Sequence, residues 1–282
     1  MVQLDGSFHR WIKSKEEKQC LMVMIDDATS IREAYLCEEE TTKAALILLW
    51  KYIEKHGIPK TIYADYKNVY QLDKKTKERV KNKGEAGLTE YGKVCSRLGI
   101  EIIGASTPQA KGRVERANGV FQDRLVKELE YEGITTIEGV NRFLEEGYIA
   151  ELNEKFSVYP ESETDFHRKA PSKEEMELIF AIEEERTVSN DWTIRYRGRI
   201  YQILSGNRNF PPSRSKVKVL QMMDGGLKFY YREWEIEVED ITYKERPKVK
   251  DKKVIKLKKR WKPGIDHPWK SKYIPERRTE RI

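Results

Sequence analysis

The sequence predicts an α/β fold: a mixed sheet with helices on both faces, followed by a small all-β unit, most simply a barrel. Three observations carry this. Short apolar strands and amphipathic helices alternate through residue 153, in the order three strands, helix, strand, helix, strand, helix. From Arg186 the pattern changes to strand-like alternation, with a Gly225-Gly226 turn. Six Trp, fifteen Tyr and eight Phe supply core material that a merely solvating, charged chain lacks.

Val2–Phe8 (V-Q-L-D-G-S-F) reads as a strand with Val2 and Leu4 on one face and Asp5 on the other. Leu21–Asp26 is a largely buried second strand. Asp27–Ile31 is a turn, and Ile31–Cys37 returns as a hairpin partner. Thr41 or Thr42 caps a helix through Lys55, and Gly57 followed by Pro59 ends it. Thr61–Asp65 is a fourth strand with an acid at its end. Lys67–Gly87 is a Lys-rich excursion without clear periodicity, expected to be a loop with a short helical piece. A helix over Leu88–Leu98 and a strand over Ile100–Gly104 follow.

Next comes Ser106–Asp123, S-T-P-Q-A-K-G-R-V-E-R-A-N-G-V-F-Q-D. Pro108 delays the helix start. Val114, Ala117, Phe121 and Leu125 then form a buried stripe, and Lys111, Glu115, Asn118 and Gln122 a polar stripe beside it. A further helix covers Ile137–Asn153. The predicted organisation is a core over 1–153, a linker with a short helix from Ser172 over 154–185, and a β unit over 186–243. A basic tail covers 244–282. Within the β unit, strands are expected at Trp192–Leu204, Lys216–Met223 and Leu227–Val238.

Charge is uneven. The chain of 282 residues carries a net +7. From Lys244 onward there are sixteen Lys or Arg and five Asp or Glu, a net of +11. That leaves 38 basic against 42 acidic side chains in the body, a net of −4. Such a tail points to a polyanionic partner, most simply nucleic acid, and Trp261, Trp269 and Tyr273 within it add stacking surface. No apolar run approaches the roughly eighteen residues of a membrane span, and the N-terminus is not built as a signal peptide. Three scattered cysteines and four scattered histidines match no disulfide or zinc spacing, so a reducing, cytoplasmic setting is expected.

Three acids stand out. Asp5 lies in the first strand, Asp65 at the end of the fourth, and Glu115 on the helix after the fifth. An acid on a basic helix is ordinarily a solvated face. If the first and fourth strands lie side by side, however, the three converge at one sheet edge. Their mutual repulsion then calls for a cation. Carboxylate oxygens suit Mg²⁺ or Mn²⁺, and two such ions about 3.5–4 Å apart can clamp a phosphodiester.

The segments V-Q-L-D-G-S-F-H, M-I-D-D-A-T-S, G-I-P-K-T-I-Y-A-D and T-P-Q-A-K-G-R-V-E-R-A-N-G resemble the integrase catalytic core of DDE transposases. The nearest likeness is to bacterial insertion-sequence transposases of the ISNCY type. The resemblance covers Val2–Asn153, and the β unit resembles the C-terminal barrel of such proteins. It implies an RNase H-like fold, two divalent ions, and DNA cleavage with strand transfer. The partners it implies are double-stranded DNA and other copies of the chain, in a bacterial, nucleoid-associated setting without a membrane. By motif, Asp5, Asp65 and Glu115 become the catalytic metal ligands. Lys111 and Asn118 become candidates for holding transposon-end DNA, with Arg113, Arg116, Lys256, Lys258, Lys259 and Arg260 as further DNA-binding candidates.

Two departures stand against the family pattern. The interval from Asp65 to Glu115 is longer than in the retroviral type, and the Lys67–Gly87 excursion is expected to account for it. The first strand also begins at residue 2, where family members carry helix-turn-helix domains ahead of it. The chain is therefore expected to be an N-terminally truncated transposase. A non-catalytic DNA-binding protein or transposition inhibitor is the alternative, and an RNase H-type nuclease fits the tail less well. Asp26 and Asp27 are expected to serve a turn with Thr29. Asp73 is expected to be solvated, and His9 and His267 to be structural.

Overall fold

The computed structural model describes residues 1–65, 70, 88–104, 112–162 and 164–242. Its centre is a five-stranded sheet of β1 (Val2–His9), β2 (Gln19–Asp26), β3 (Arg32–Cys37), β4 (Thr61–Ala64) and β5 (Glu101–Gly104), in the order β3-β2-β1-β4-β5. β1 pairs antiparallel with β2, and β2 with β3; β1 pairs parallel with β4, and β4 with β5. This is the mixed five-stranded sheet expected from the sequence, with the first and fourth strands adjacent.

Every residue of β2 is buried, because helices cover both faces of the sheet. On one face Val2, Leu4, Met22, Met24 and Ile62 share a core with α1 (Thr42–His56) and α2 (Glu90–Arg97). On the other, Leu21, Val23, Ile25 and Leu36 share a core with α3 (Gly112–Tyr131). α1 begins as its sequence dictates: the Thr41 side chain accepts from the Ala44 N–H. Gly57 ends it at φ 86°, where an added Cβ would stand 2.6 Å from the Arg168 carbonyl oxygen.

The helix expected over Ile137–Asn153 is observed in three parts. α4 (Ile137–Phe143) runs through a wider π turn (Leu144–Tyr148) into α5 (Ile149–Phe156). This kinked helix covers the edge of the sheet. The Asn141 side chain accepts from the Leu36 N–H at 2.8 Å and donates to the Leu36 carbonyl at 2.9 Å. Asn153 does the same for Arg32, at 2.9 and 3.0 Å. Both residues lie on edge strand β3, and their outward backbone groups are satisfied by amide side chains where a sixth strand would otherwise pair. Asn141→Ala and Asn153→Ala are each expected to cost about 1–3 kcal/mol, because a backbone donor and acceptor lose their partners. Urea unfolding midpoints of the two variants check this.

Beyond the core, α6 (Lys173–Phe180) starts at a capping box between Ser172 and Glu175, and buries Met176 and Phe180 in the α1 core. Phe180 meets Trp50 edge-on at 5.0 Å. The β unit corrects the sequence reading. In place of a closed barrel there are two antiparallel sheets. One is β11-β10-β9-β6, made of β6 (Ile182–Thr187), β9 (Lys216–Gln221), β10 (Leu227–Tyr231) and β11 (Trp234–Glu235). The other is β12-β8-β7, made of β7 (Thr193–Tyr196), β8 (Arg199–Ile203) and β12 (Val238–Asp240). No ladder joins them among the described residues. They share one core, in which Ile194, Tyr201 and Ile203 of one sheet meet Val217, Val219 and Phe229 of the other. The expected strand Trp192–Leu204 is a hairpin, turning at Arg197 and Gly198 with φ of 46° and 77°. The expected strand Leu227–Val238 is split into β10, β11 and the start of β12.

Candidate active site

Strand alternation sets the site. Val2 and Leu4 point into the α1 core, so Gln3, Asp5 and Ser7 point to the opposite face, where α3 lies. There they meet α3 at regular steps. The Gln3 Oε1 accepts from the Val114 N–H at 3.1 Å. The Asn118 Nδ2 donates to the Asp5 Oδ2 at 3.2 Å. The Gln122 Nε2 donates to the Ser7 Oγ at 3.0 Å. Two strand residues advance about 6.6 Å and four helical residues about 6.0 Å, so strand and helix stay in step over all three contacts. Val114, Ala117, Phe121 and Leu125 anchor the helix in the core beneath this polar row.

β4 brings the second acid. Val2 sits beside Ile62 and Gln3 beside Tyr63. Asp5 lies two residues beyond Gln3 in β1, and Asp65 directly follows the last residue of β4, the parallel neighbour of β1. Ile62 and Ala64 are buried in the α1 core, so alternation turns Asp65 to the same face as Asp5. Gly6 follows Asp5 because a Cβ there would stand 3.0 Å from both the Cys20 Sγ and the Glu40 Oε2.

Glu115 stands in the first described turn of α3, three residues before Asn118, and is exposed. Asn118 is buried, and its Oδ1 has no hydrogen-bond partner among the described residues. Among those residues no group of three acidic, histidine or cysteine side chains is close enough to hold a metal ion. The structure thus puts Asp5 in β1, Asp65 just past the end of β4 and Glu115 on the adjoining helix, without joining the three into a ready-made cluster.

The other candidates divide. The Arg113 Nε pairs with the Asp27 Oδ1 at 3.0 Å, and its Nη1 donates to the Ser30 Oγ at 3.0 Å. Arg116 is exposed, and its Nε donates to the Gly112 carbonyl at 2.9 Å. Lys111, Lys256, Lys258, Lys259 and Arg260 lie outside the described residues, as do Asp73 and His267. Asp26 is buried in the turn, where its Oδ2 accepts from the Thr29 N–H at 2.9 Å and the Thr29 hydroxyl at 2.7 Å. That is the turn role the sequence suggested. Asp27 does more than turn work: it also accepts from the Gln3 Nε2 at 2.8 Å, tying β1 to the start of α3 through Arg113.

Gln3 and Ser7 were not legible as site residues, since single polar residues alternating along a strand look like a solvent face. The signal that could have found them is a match of periods: two on the strand (Gln3, Asp5, Ser7) against four on the helix (Val114, Asn118, Gln122).

With this geometry in place, the comparisons define a class. The chain is similar to curated transposases, one of them of an insertion sequence. It is 31% identical over 280 residues to the transposase for insertion sequence IS1202 of Streptococcus pneumoniae, covering 96% of this chain and 57% of that protein. It is 37% identical over 169 residues to the putative transposase y4bF of Sinorhizobium fredii, covering 60% of this chain and 36% of that protein. The chain thus spans about half the length, or less, of these curated relatives. No family model matches. Among solved structures, the catalytic core domain of BIV integrase is 21% identical, with a TM-score of 0.38 over 56% of this chain and 85% of that one. No helix among the described residues is long and apolar enough to cross a membrane.

Proposed function

We propose that this chain is the catalytic part of a DDE transposase, which cleaves DNA at transposon ends and joins the freed 3′ end to target DNA. What supports the reading is the adjacency of β1, which carries Asp5, to the parallel strand β4, which Asp65 directly follows, with Glu115 on the helix laid along β1. The similarity to the IS1202 transposase along 96% of the chain supports it. Duplex DNA is the substrate, and several copies assemble on it.

The donor set fits a hard divalent cation: the three candidates are all carboxylates, and the unpartnered Asn118 Oδ1 lies in the side chain that holds Asp5. Asp5, Asp65 and Glu115 are the residues that would hold a pair of Mg²⁺ or Mn²⁺ ions, which supply activation of the attacking oxygen and stabilisation of the leaving one. The chain's own work is positional. Asn118 fixes one oxygen of Asp5. Gln3 pins the first described turn of α3, and Ser7 with Gln122 keeps the helix in register, so Glu115 is presented at a fixed height above β1.

The test is strand transfer by the purified chain with pre-cleaved end duplex and Mg²⁺ or Mn²⁺, beside Glu115→Gln. Joined product that falls by about a hundredfold or more in the variant, and vanishes with EDTA, is the expected result. DNA binding with no joining under any of these conditions would overturn the reading in favour of a non-catalytic DNA-binding protein.

A further inference from the structure

Behind the first turn of α3 lies a cavity of about 300 Å³ into which Arg32, Arg113 and Arg116 all face, closed on one side by Phe156. Arg32 is the unusual member. It is 3% exposed, and its Nε is buried with no hydrogen-bond partner among the described residues. Its Nη2 donates only to the Ser30 and Phe156 carbonyls, at 3.3 and 3.5 Å, and its guanidinium lies 5.4 Å from the centre of the Phe156 ring. No carboxylate of the described residues forms an ion pair with it. Burial accordingly holds its pKa below the usual arginine value.

A buried guanidinium without a counter-charge is costly, and natural proteins ordinarily pair such a group. Here the neighbours add to the positive field. Arg113 spends part of its charge on Asp27, while Arg116 bonds only its own helix through Nε. Arg124 stands 5.4 Å from the same Phe156 ring. Asp27, the partner of Arg113, is also engaged by Gln3.

We infer that the Arg32–Arg113–Arg116 cavity is a phosphate-binding subsite, separate from the Asp5–Asp65–Glu115 site, that takes one backbone phosphate of bound DNA. Planar guanidinium groups suit two oxygens of a phosphate at once, and the anion supplies the counter-charge Arg32 lacks. α3 carries Glu115 on one side and Arg113 and Arg116 beside it, so a phosphate held here would fix the path of a strand relative to the acids. The assignment of DNA as the source rests on the function proposed above; the phosphate chemistry does not.

Two measurements on the full chain test it. The first is thermal unfolding in inorganic phosphate against sodium chloride of equal ionic strength, for the wild type, Arg32→Met and Arg116→Ala. Phosphate should raise the wild-type midpoint by a few degrees and leave both variants unmoved. Arg32→Met, which keeps bulk against Phe156 and removes the unpaired charge, should itself melt no lower than the wild type. The second is duplex binding across a range of salt. Loss of one phosphate contact should reduce the slope of log K against log salt by about 0.9 in each variant, and Arg199→Ala on β8 should not match that change. A phosphate effect without a slope change would keep the subsite and overturn DNA as its occupant. A lower midpoint in Arg32→Met with no phosphate effect in the wild type would show that Arg32 is only a packing residue, and would overturn the proposal. Neither readout depends on strand transfer, so failure here and failure of the proposed activity are distinguishable.

Discussion

Asp5→Asn is expected to lower strand transfer by about a thousandfold while leaving duplex binding within about twofold. The substitution is isosteric and keeps an oxygen where Asn118 donates, so α3 remains seated on β1. What it removes is the negative charge of one proposed metal ligand. Loss of a charged oxygen donor from a site that stabilises a phosphoryl transition state costs several kcal/mol, and each 1.36 kcal/mol is about tenfold in rate. Binding is spared because an acid repels DNA and its loss removes no phosphate contact. Asp65→Asn should behave alike. Asn118→Ala should fall between, at about a hundredfold, because the carboxylate remains but loses its fixed position. Rates from single-turnover joining, set beside equilibrium binding of the same duplex, check the series. Equal loss of binding and joining in Asp5→Asn would show that the residue holds structure and does no chemistry.

Phe121→Ala should be among the most destabilising single changes in the core, at about 3–5 kcal/mol. Its ring is fully buried in the cluster that joins α3 to Leu21, Val23 and Ile25 of β2. Truncation leaves a cavity between two rigid elements, so little collapse can relieve it. A domain is ordinarily stable by only about 5–15 kcal/mol, so this one ring accounts for a large share. Phe166→Ala provides the contrast, since that ring is 68% exposed and its loss should stay within about 0.5 kcal/mol. Urea midpoints at unchanged slope check both. In Phe121→Ala the loss should extend to joining activity under conditions where the protein is still mostly folded, because the same helix carries Glu115 and Asn118.

How much of this was legible depended on which force set each element. Burial and capping are local and left their mark: the all-buried β2, Thr41 and Gly57 at the ends of α1, and the Val114–Leu125 stripe of α3 could all be read directly. The order of those elements allowed the first and fourth strands to lie side by side, as they do. The β unit was harder because distant partners set its strands. β6 reads I-E-E-E-R-T, poor strand material, yet it pairs with β9, where Lys218 meets Glu183 at 3.0 Å and Lys216 meets Glu185 at 2.8 Å. The Arg197–Gly198 turn hid because arginine at positive φ is uncommon. The π turn hid because Leu144–Tyr148 keeps a helical pattern while its backbone widens. Gln3, Ser7 and Arg32 were invisible for one shared reason: a polar residue's role depends on the element packed over it.

The asparagine pair over β3 also bears on how copies of this chain can meet. If copies assemble on DNA, as proposed above, they are held at high local concentration, the condition under which a bare strand edge recruits its neighbour's and the particles zip into open-ended ribbons. Asn141 and Asn153 hold the Leu36 and Arg32 positions of that edge with bonds from the same chain. Copies brought together on DNA in that proposal would therefore meet a β3 edge whose Leu36 and Arg32 positions are not offered to a foreign strand.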